Sequence, residues 1–202
     1  MMNKWGSIIS VSLIVAALFV ISCNSKKDQE STDKKGADSS IQTKGNSLLL
    51  RDASDERGMV LESPDGLFIV TFPGQPMYHS QLVPVAKNVD VEMVSYIYEV
   101  SANESYMIAY CDYPANAVTN DPYELLETAR SGAVMNNVVE SVSKSEVDGW
   151  PAITTKSINK ETGYYYILRV ILADNRLYQV QMLNKGRYSS EAAVQMFMES
   201  FT

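Results

Sequence analysis

The 202-residue sequence is poor in the side chains that most enzymes and metal proteins use. It has two cysteines, Cys23 and Cys111, and a single histidine, His79. These three residues cannot form a disulfide framework or a structural zinc site, which takes four Cys or His ligands. The sequence also lacks a glycine-rich phosphate loop and a glycine-flanked serine nucleophile. It therefore predicts no catalytic residues, no metal site and no cofactor, with His79 in a solvent-facing loop.

Positive charge is scarce in the larger part of the chain. Residues 58–202 contain nine Lys/Arg and seventeen Asp/Glu, and 9 − 17 gives a net charge of −8. An acidic surface repels phosphate backbones, so the composition argues against a nucleic-acid partner. It also repels anionic lipid headgroups, so a membrane contact would need another means of attachment.

Long apolar runs are also missing, with one exception at residues 8–21. Lys4 is the only charge in residues 1–22, and a run of this length is too short to span a bilayer comfortably. A cationic start, a short apolar run and a small residue at its end are the parts of a secretory signal. The sequence therefore predicts a signal peptide over residues 1–22.

The end of that run, Val20-Ile21-Ser22-Cys23, resembles the cleavage site of bacterial lipoprotein signals. The resemblance implies cleavage between Ser22 and Cys23 and acylation of Cys23 with fatty acids such as palmitate. Two acyl chains hold a protein stably on a membrane. The following residue is Asn24, not aspartate, which in that family favours the outer membrane. The alternative is an uncleaved membrane anchor with an incidental cysteine.

The polar stretch after Cys23 predicts a flexible tether over residues 23–57. Residues 24–57 contain seven basic and seven acidic residues, and their main apolar cluster is Leu48-Leu49-Leu50. Such a segment has too little apolar surface to offset the entropy lost on ordering. From residue 58 the pattern changes to short β-type runs, and we expect one folded domain over 58–202.

Within the domain, turn residues separate short apolar runs that predict strands. Asp121, with Pro122 and Glu124 after it, is typical of a helix start. A second helix is expected from Ser190. Residues 75–88, which contain two prolines, are expected to be irregular. The predicted strands cover residues 67–72, 89–100, 105–113, 138–147, 150–158, 164–172 and 177–183.

This pattern predicts an α+β fold, with a central antiparallel sheet of about six to seven strands packed with helices. The stretch at residues 64–73, Pro-Asp-Gly-Leu-Phe-Ile-Val-Thr-Phe-Pro, resembles the opening of PsbP-like domains. The resemblance covers about residues 59–202, although the tryptophan that usually follows the opening proline is absent. It implies a PsbP-like sandwich that serves in binding and assembly and is not an enzyme.

One strand carries a charge that apolar neighbours would bury. A two-residue turn at Asp174-Asn175 places Arg169 opposite Val180 and Ile171 opposite Tyr178, because paired residue numbers then sum to 349. A buried guanidinium needs a carboxylate or carbonyl partner, for which Glu99 and Asp112 are candidates. Arg169 therefore forms a structural ion pair, lies on a partly exposed strand face or, with Tyr178, is part of a candidate ligand-binding site.

The sequence leaves three functional hypotheses. The first is a lipid-anchored, non-enzymatic protein of the bacterial cell envelope that engages a protein partner through its domain. The second is a lipoprotein that binds a small molecule or an envelope polymer in a cleft near Arg169 and Tyr178. The third is a hydrolase whose site is not recognisable from sequence.

Overall fold

The computed structural model describes residues 58–86, 89–118 and 121–202. The predicted signal peptide (1–22), the lipidation at Cys23 and the tether (23–57) lie outside these residues and stay predictions. In the described part of the chain, no helix is long and apolar enough to cross a membrane. The strands are β1 Met59–Glu62, β2 Ile69–Phe72, β3 Met77–Ala86, β4 Val89–Ser101, β5 Glu104–Asp112, β6 Val138–Val147, β7 Trp150–Asn159, β8 Tyr164–Ala173 and β9 Arg176–Lys185. The α-helices are α1 Pro122–Ala133 and α2 Glu191–Phe197.

Seven of the strands form one antiparallel sheet in the order β3-β4-β5-β9-β8-β7-β6. Neighbours in sequence are mostly neighbours in the sheet, because short turns join them. The exception is the pairing of β5 with β9, because α1 and the β6–β8 meander lie between these two strands in the chain. Strands β3 and β6 are the two edges, and β1 and β2 form a separate hairpin.

The sheet is covered on both sides. On one side, which we call the α1 face, Leu168, Val170 and Leu177 join a core with α1, which packs across β7 and β8. On the other, the hairpin face, the sheet buries side chains against the β1–β2 hairpin and the C-terminal segment. These include Ile171, Val180, Phe68, Phe197 and Phe201. The C-terminus is held there by two backbone hydrogen bonds between Ile69 and Thr202.

The predicted start of α1 is confirmed. The Asp121 carboxylate accepts a hydrogen bond from the Tyr123 backbone N–H at 2.9 Å, and Pro122 occupies the first helical turn. The buried side of α1 is formed by Leu125, Leu126 and Ala129. Similarly, Ser190 caps α2 by accepting from the backbone N–H of Ala193. These caps satisfy amide groups that would otherwise be left without partners.

The predicted α+β sandwich, with helices packed on the sheet in the manner of PsbP-like domains, is wrong. The described chain is mainly β, with 56% of its residues in strands and 16% in helix. One reason is that residues 75–88, expected to be irregular, contain the ten-residue strand β3. Pro84 is tolerated there because β3 is an edge strand, where a missing N–H removes no bond from the sheet interior. A second reason is that α2 has only seven residues.

Candidate functional site

The predicted register of the last hairpin is confirmed, with Arg169 paired to Val180 and Ile171 to Tyr178. Alternation along β8 therefore points Arg169 toward the hairpin face, the same side as Ile167 and Ile171. This position lies beneath the segment that follows α2. The sequence alone could not place that segment, because its contacts are made by residues about thirty positions away in the chain.

Arg169 uses its guanidinium to hold the C-terminal segment. Its Nη2 donates to Glu199 Oε1 at 2.7 Å, its Nη1 to the Met198 carbonyl at 3.0 Å, and its Nε to Thr154 Oγ1 at 3.1 Å. The carboxylate partner is Glu199, and not Glu99 or Asp112 as the sequence suggested. All three guanidinium nitrogens are thus engaged within the chain. This geometry favours the structural ion pair over a ligand site at Arg169.

Tyr178, the other candidate binding residue, is 4% exposed and lies in an aromatic cluster on the hairpin face. Its ring centroid is 5.3 Å from that of Phe201, 5.8 Å from Phe68 and 6.0 Å from Tyr110. Burial raises the pKa of its phenol. Tyr178 therefore contributes to core packing, and its partners differ from those of Arg169.

A second arginine, Arg176, joins three parts of the fold. Its Nε and Nη2 donate to the two carboxylate oxygens of Asp112 at 2.6 and 2.8 Å, and its Nη1 donates to Asp65 at 2.5 Å. Its guanidinium also lies 4.5 Å from the ring centroid of Tyr110. Bidentate pairing of this kind is strong and directional. Arg176 thereby fastens the β1–β2 turn to the end of β5.

The charges in this cluster are stabilised by one another. Hydrogen bonds that Arg176 donates to Asp112, opposed by partial burial, raise the pKa of Arg176 above its usual range. Burial alone would raise the pKa of Asp65, but hydrogen bonds from Arg176, Ser63 and the Leu67 backbone N–H lower it overall. The sequence did not identify Arg176, because its pairing with Asp112 depends on the non-local β5–β9 contact.

Cys111, the sole cysteine among the described residues, and His79 lie in different environments. Cys111 is buried, and burial raises the pKa of its thiol to about 12. Cys111 is therefore a small buried side chain and not a reactive thiol. His79 is exposed, but on β3 and not in a loop as predicted. Among the described residues, no three Cys, His, Asp or Glu side chains group as metal ligands.

The α1 face contains a buried amide without partners. Gln179 is fully buried, and neither its Nε2 nor its Oε1 makes a hydrogen bond. In the sheet it lies between Ala109 on β5 and Val170 on β8. An orphaned buried polar group costs about 1–3 kcal/mol. Gln179 is therefore a locally destabilising residue in the core.

Replacing this amide should stabilise the fold. We expect Gln179→Met to raise the free energy of unfolding by about 1–2 kcal/mol, because methionine has a similar shape and leaves no orphaned polar atom. Gln181→Met is the matched control, since the amide of Gln181 on the same strand is not among the orphaned atoms. Urea unfolding followed by circular dichroism measures both. Destabilisation by Gln179→Met would mean that the amide has a partner.

The comparisons with known proteins give little similarity. No protein-family model and no curated protein matches the sequence. Among solved structures, the chain is similar to a crystal structure from Bacteroides thetaiotaomicron VPI-5482, with a TM-score of 0.44 and 11% sequence identity. The match covers 72% of this chain and 48% of that chain, so this chain spans about half the length of the solved one.

Proposed function

We propose that this chain is a lipid-anchored, non-enzymatic protein of the bacterial cell envelope whose domain binds a protein partner. The observation that carries the proposal is the sequence Val20-Ile21-Ser22-Cys23 at the end of a short apolar run. The acidic domain would otherwise be repelled by anionic headgroups. Acylated Cys23 supplies the attachment, and the tether over residues 23–57 lets the domain reach a partner away from the lipid surface.

A binding role would use the outer surface of the domain. Two arginines on the hairpin face are paired within the chain, Arg169 with Glu199 and Arg176 with Asp65 and Asp112. The hypothesis of a ligand cleft at Arg169 and Tyr178 therefore gains no support from the geometry. The two edge strands, in contrast, have exposed side chains, and no other described strand pairs with their outer sides.

The proposal predicts both a lipid and a partner. Cells that produce the chain and are fed an alkyne analogue of palmitate should incorporate the label, and the protein should fractionate with the outer membrane. Photo-crosslinking in intact cells, followed by mass spectrometry, should recover the same envelope protein in repeated experiments. Absence of label would contradict the anchor. Repeated recovery of no specific protein would contradict the binding role.

A further inference from the structure

Strands β3 and β6 end the seven-stranded sheet, and they differ in how well they are protected against pairing with another strand. Strand β6 carries Glu140, Lys144 and Glu146 and has a bulge between Val139 and Ser141. Charges and bulges are the usual means by which a sheet edge prevents further pairing. Strand β6 is therefore a poor template for an added strand.

The first seven residues of β3 have no such protection. From Met77 to Val83 the strand carries no Lys, Arg, Asp or Glu, contains no proline, and pairs with β4 without a break. The irregularity in this strand comes later, between Pro84 and Ala86. Several of its side chains are exposed, including Leu82 at 72%. In the described part of the chain no strand pairs with the outer side of β3. An unpaired, regular edge of this kind is the surface on which a peptide adds as a further strand.

The outward side chains of β3 form a short pattern on the hairpin face. Every second residue of a strand lies on the same face, and Tyr78, Ser80 and Leu82 share the hairpin face. Their partners on β4 are Tyr96, Val94 and Glu92, of which Tyr96 and Val94 belong to the core on that face. The ring of Tyr78 packs edge-on against that of buried Tyr96, with centroids 5.5 Å apart. An aromatic and an aliphatic side chain thus flank the small Ser80.

A fixed carboxylate lies beside this pattern. The Ser80 hydroxyl donates a hydrogen bond to Glu92 Oε1, which holds the Glu92 carboxylate over Ser80 and toward the sheet edge. The surroundings are acidic: residues 77–112 contain five Asp/Glu and one Lys/Arg, Lys87. If a further strand paired with β3, a Lys or Arg opposite Ser80 would have a side chain long enough to reach this carboxylate across the small serine side chain.

From this juxtaposition we infer that β3 is the partner-binding edge, and that the partner supplies an extended segment with the pattern apolar, any residue, Lys or Arg, any residue, apolar. The two apolar side chains pack beside Tyr78 and Leu82, and the cation pairs with Glu92. Backbone hydrogen bonds to the open edge of β3 complete the contact. This inference rests on the proposed binding function and names its surface and the chemistry of its partner.

A defined peptide tests the inference on the full chain purified in detergent. The probe is a fluorescent heptapeptide, blocked at both ends, with lysine in the centre, valine two positions to either side and threonine elsewhere. Fluorescence anisotropy should show saturable binding. Glu92→Lys should weaken the affinity for the peptide about tenfold. The matched Glu146→Lys change should leave the affinity within about twofold, because β6 is the opposite edge of the sheet and lies farther from the peptide than the Debye length.

Two further peptides separate backbone pairing from charge attraction. A version N-methylated at the lysine and both valines should not bind, because in an antiparallel pairing these residues lie opposite Tyr78, Ser80 and Leu82 and their N–H groups face the edge of β3. A version with glutamate in place of lysine should bind Glu92→Lys better than the wild-type chain. Binding that is equally affected by Glu92→Lys and Glu146→Lys would overturn the inference, because it would then reflect net charge alone.

Other occupants of the edge give distinct results, and each contradicts the inference. If the peptide binds only after deletion of residues 44–51, the edge is occupied by the protein's own Leu48–Leu50 stretch. If sedimentation shows dimers that Leu82→Lys dissociates, the occupant is a second copy. If crosslinking recovers the same partner from Glu92→Lys cells as from wild type, the proposed function stands and the β3 assignment fails.

Discussion

Cys23→Ser is expected to abolish fatty-acid labelling completely and to release the protein from outer-membrane fractions or leave an uncleaved precursor. Serine lacks the thiol that the lipoprotein pathway alkylates, and each buried acyl methylene contributes about 0.8 kcal/mol to membrane attachment. Nothing else in the acidic domain compensates for that loss, because anionic headgroups repel it. Labelling with alkyne palmitate and membrane fractionation measure the change.

The second cysteine provides the control for this experiment. Cys111→Ala removes a buried thiol from β5 and should retain the full label, since Cys111 lies within the folded domain and its thiol is shielded. The Cys23→Ser protein should keep the circular dichroism spectrum of a β-rich domain. If it still carries label or remains firmly on the outer membrane, Cys23 is not the anchor.

Phe68→Ala is expected to be the most damaging single change in the folded domain, lowering the free energy of unfolding by about 3–5 kcal/mol. Phe68 is 1% exposed and its ring meets those of Tyr96, Tyr110, Tyr178 and Phe201 at centroid distances of 5.8–6.2 Å. The truncation removes these aromatic contacts and leaves a cavity between the β1–β2 hairpin and the sheet.

The neighbouring residue makes a close control, because Leu67 is 60% exposed on the same segment. Leu67→Ala should change the free energy of unfolding by less than about 0.5 kcal/mol, as surface substitutions usually do. Urea unfolding of both variants, followed by circular dichroism, compares them directly. Equal stability of the two variants would mean that the hairpin does not pack on the sheet as described.

Local features of the fold were accessible from the sequence. The cap at Asp121 and the proline after it act within one helical turn, so α1 began where expected. The β8–β9 register followed from a two-residue turn, because a tight turn determines which residues face each other. These predictions needed only interactions between residues close in the chain.

The failures share a different cause. Residues 75–88 looked irregular because of their prolines, but pairing with β4 made Met77–Ala86 a strand. Arg169 was correctly expected to need a carboxylate, yet the chain contains many, and only the fold brings Glu199 to it. Arg176 was overlooked because β5 and β9 are about seventy residues apart in sequence.

By itself the sequence determined the start of α1, the register of the β8–β9 hairpin, the charge of the domain and the expectation of an anchor at Cys23. Each of these depends on neighbouring residues or on composition. The tertiary structure decided which strands became edges, which carboxylates met Arg169 and Arg176, and that Gln179 was left without a partner. These outcomes depend on contacts between distant segments, which form only when the strands assemble into one sheet.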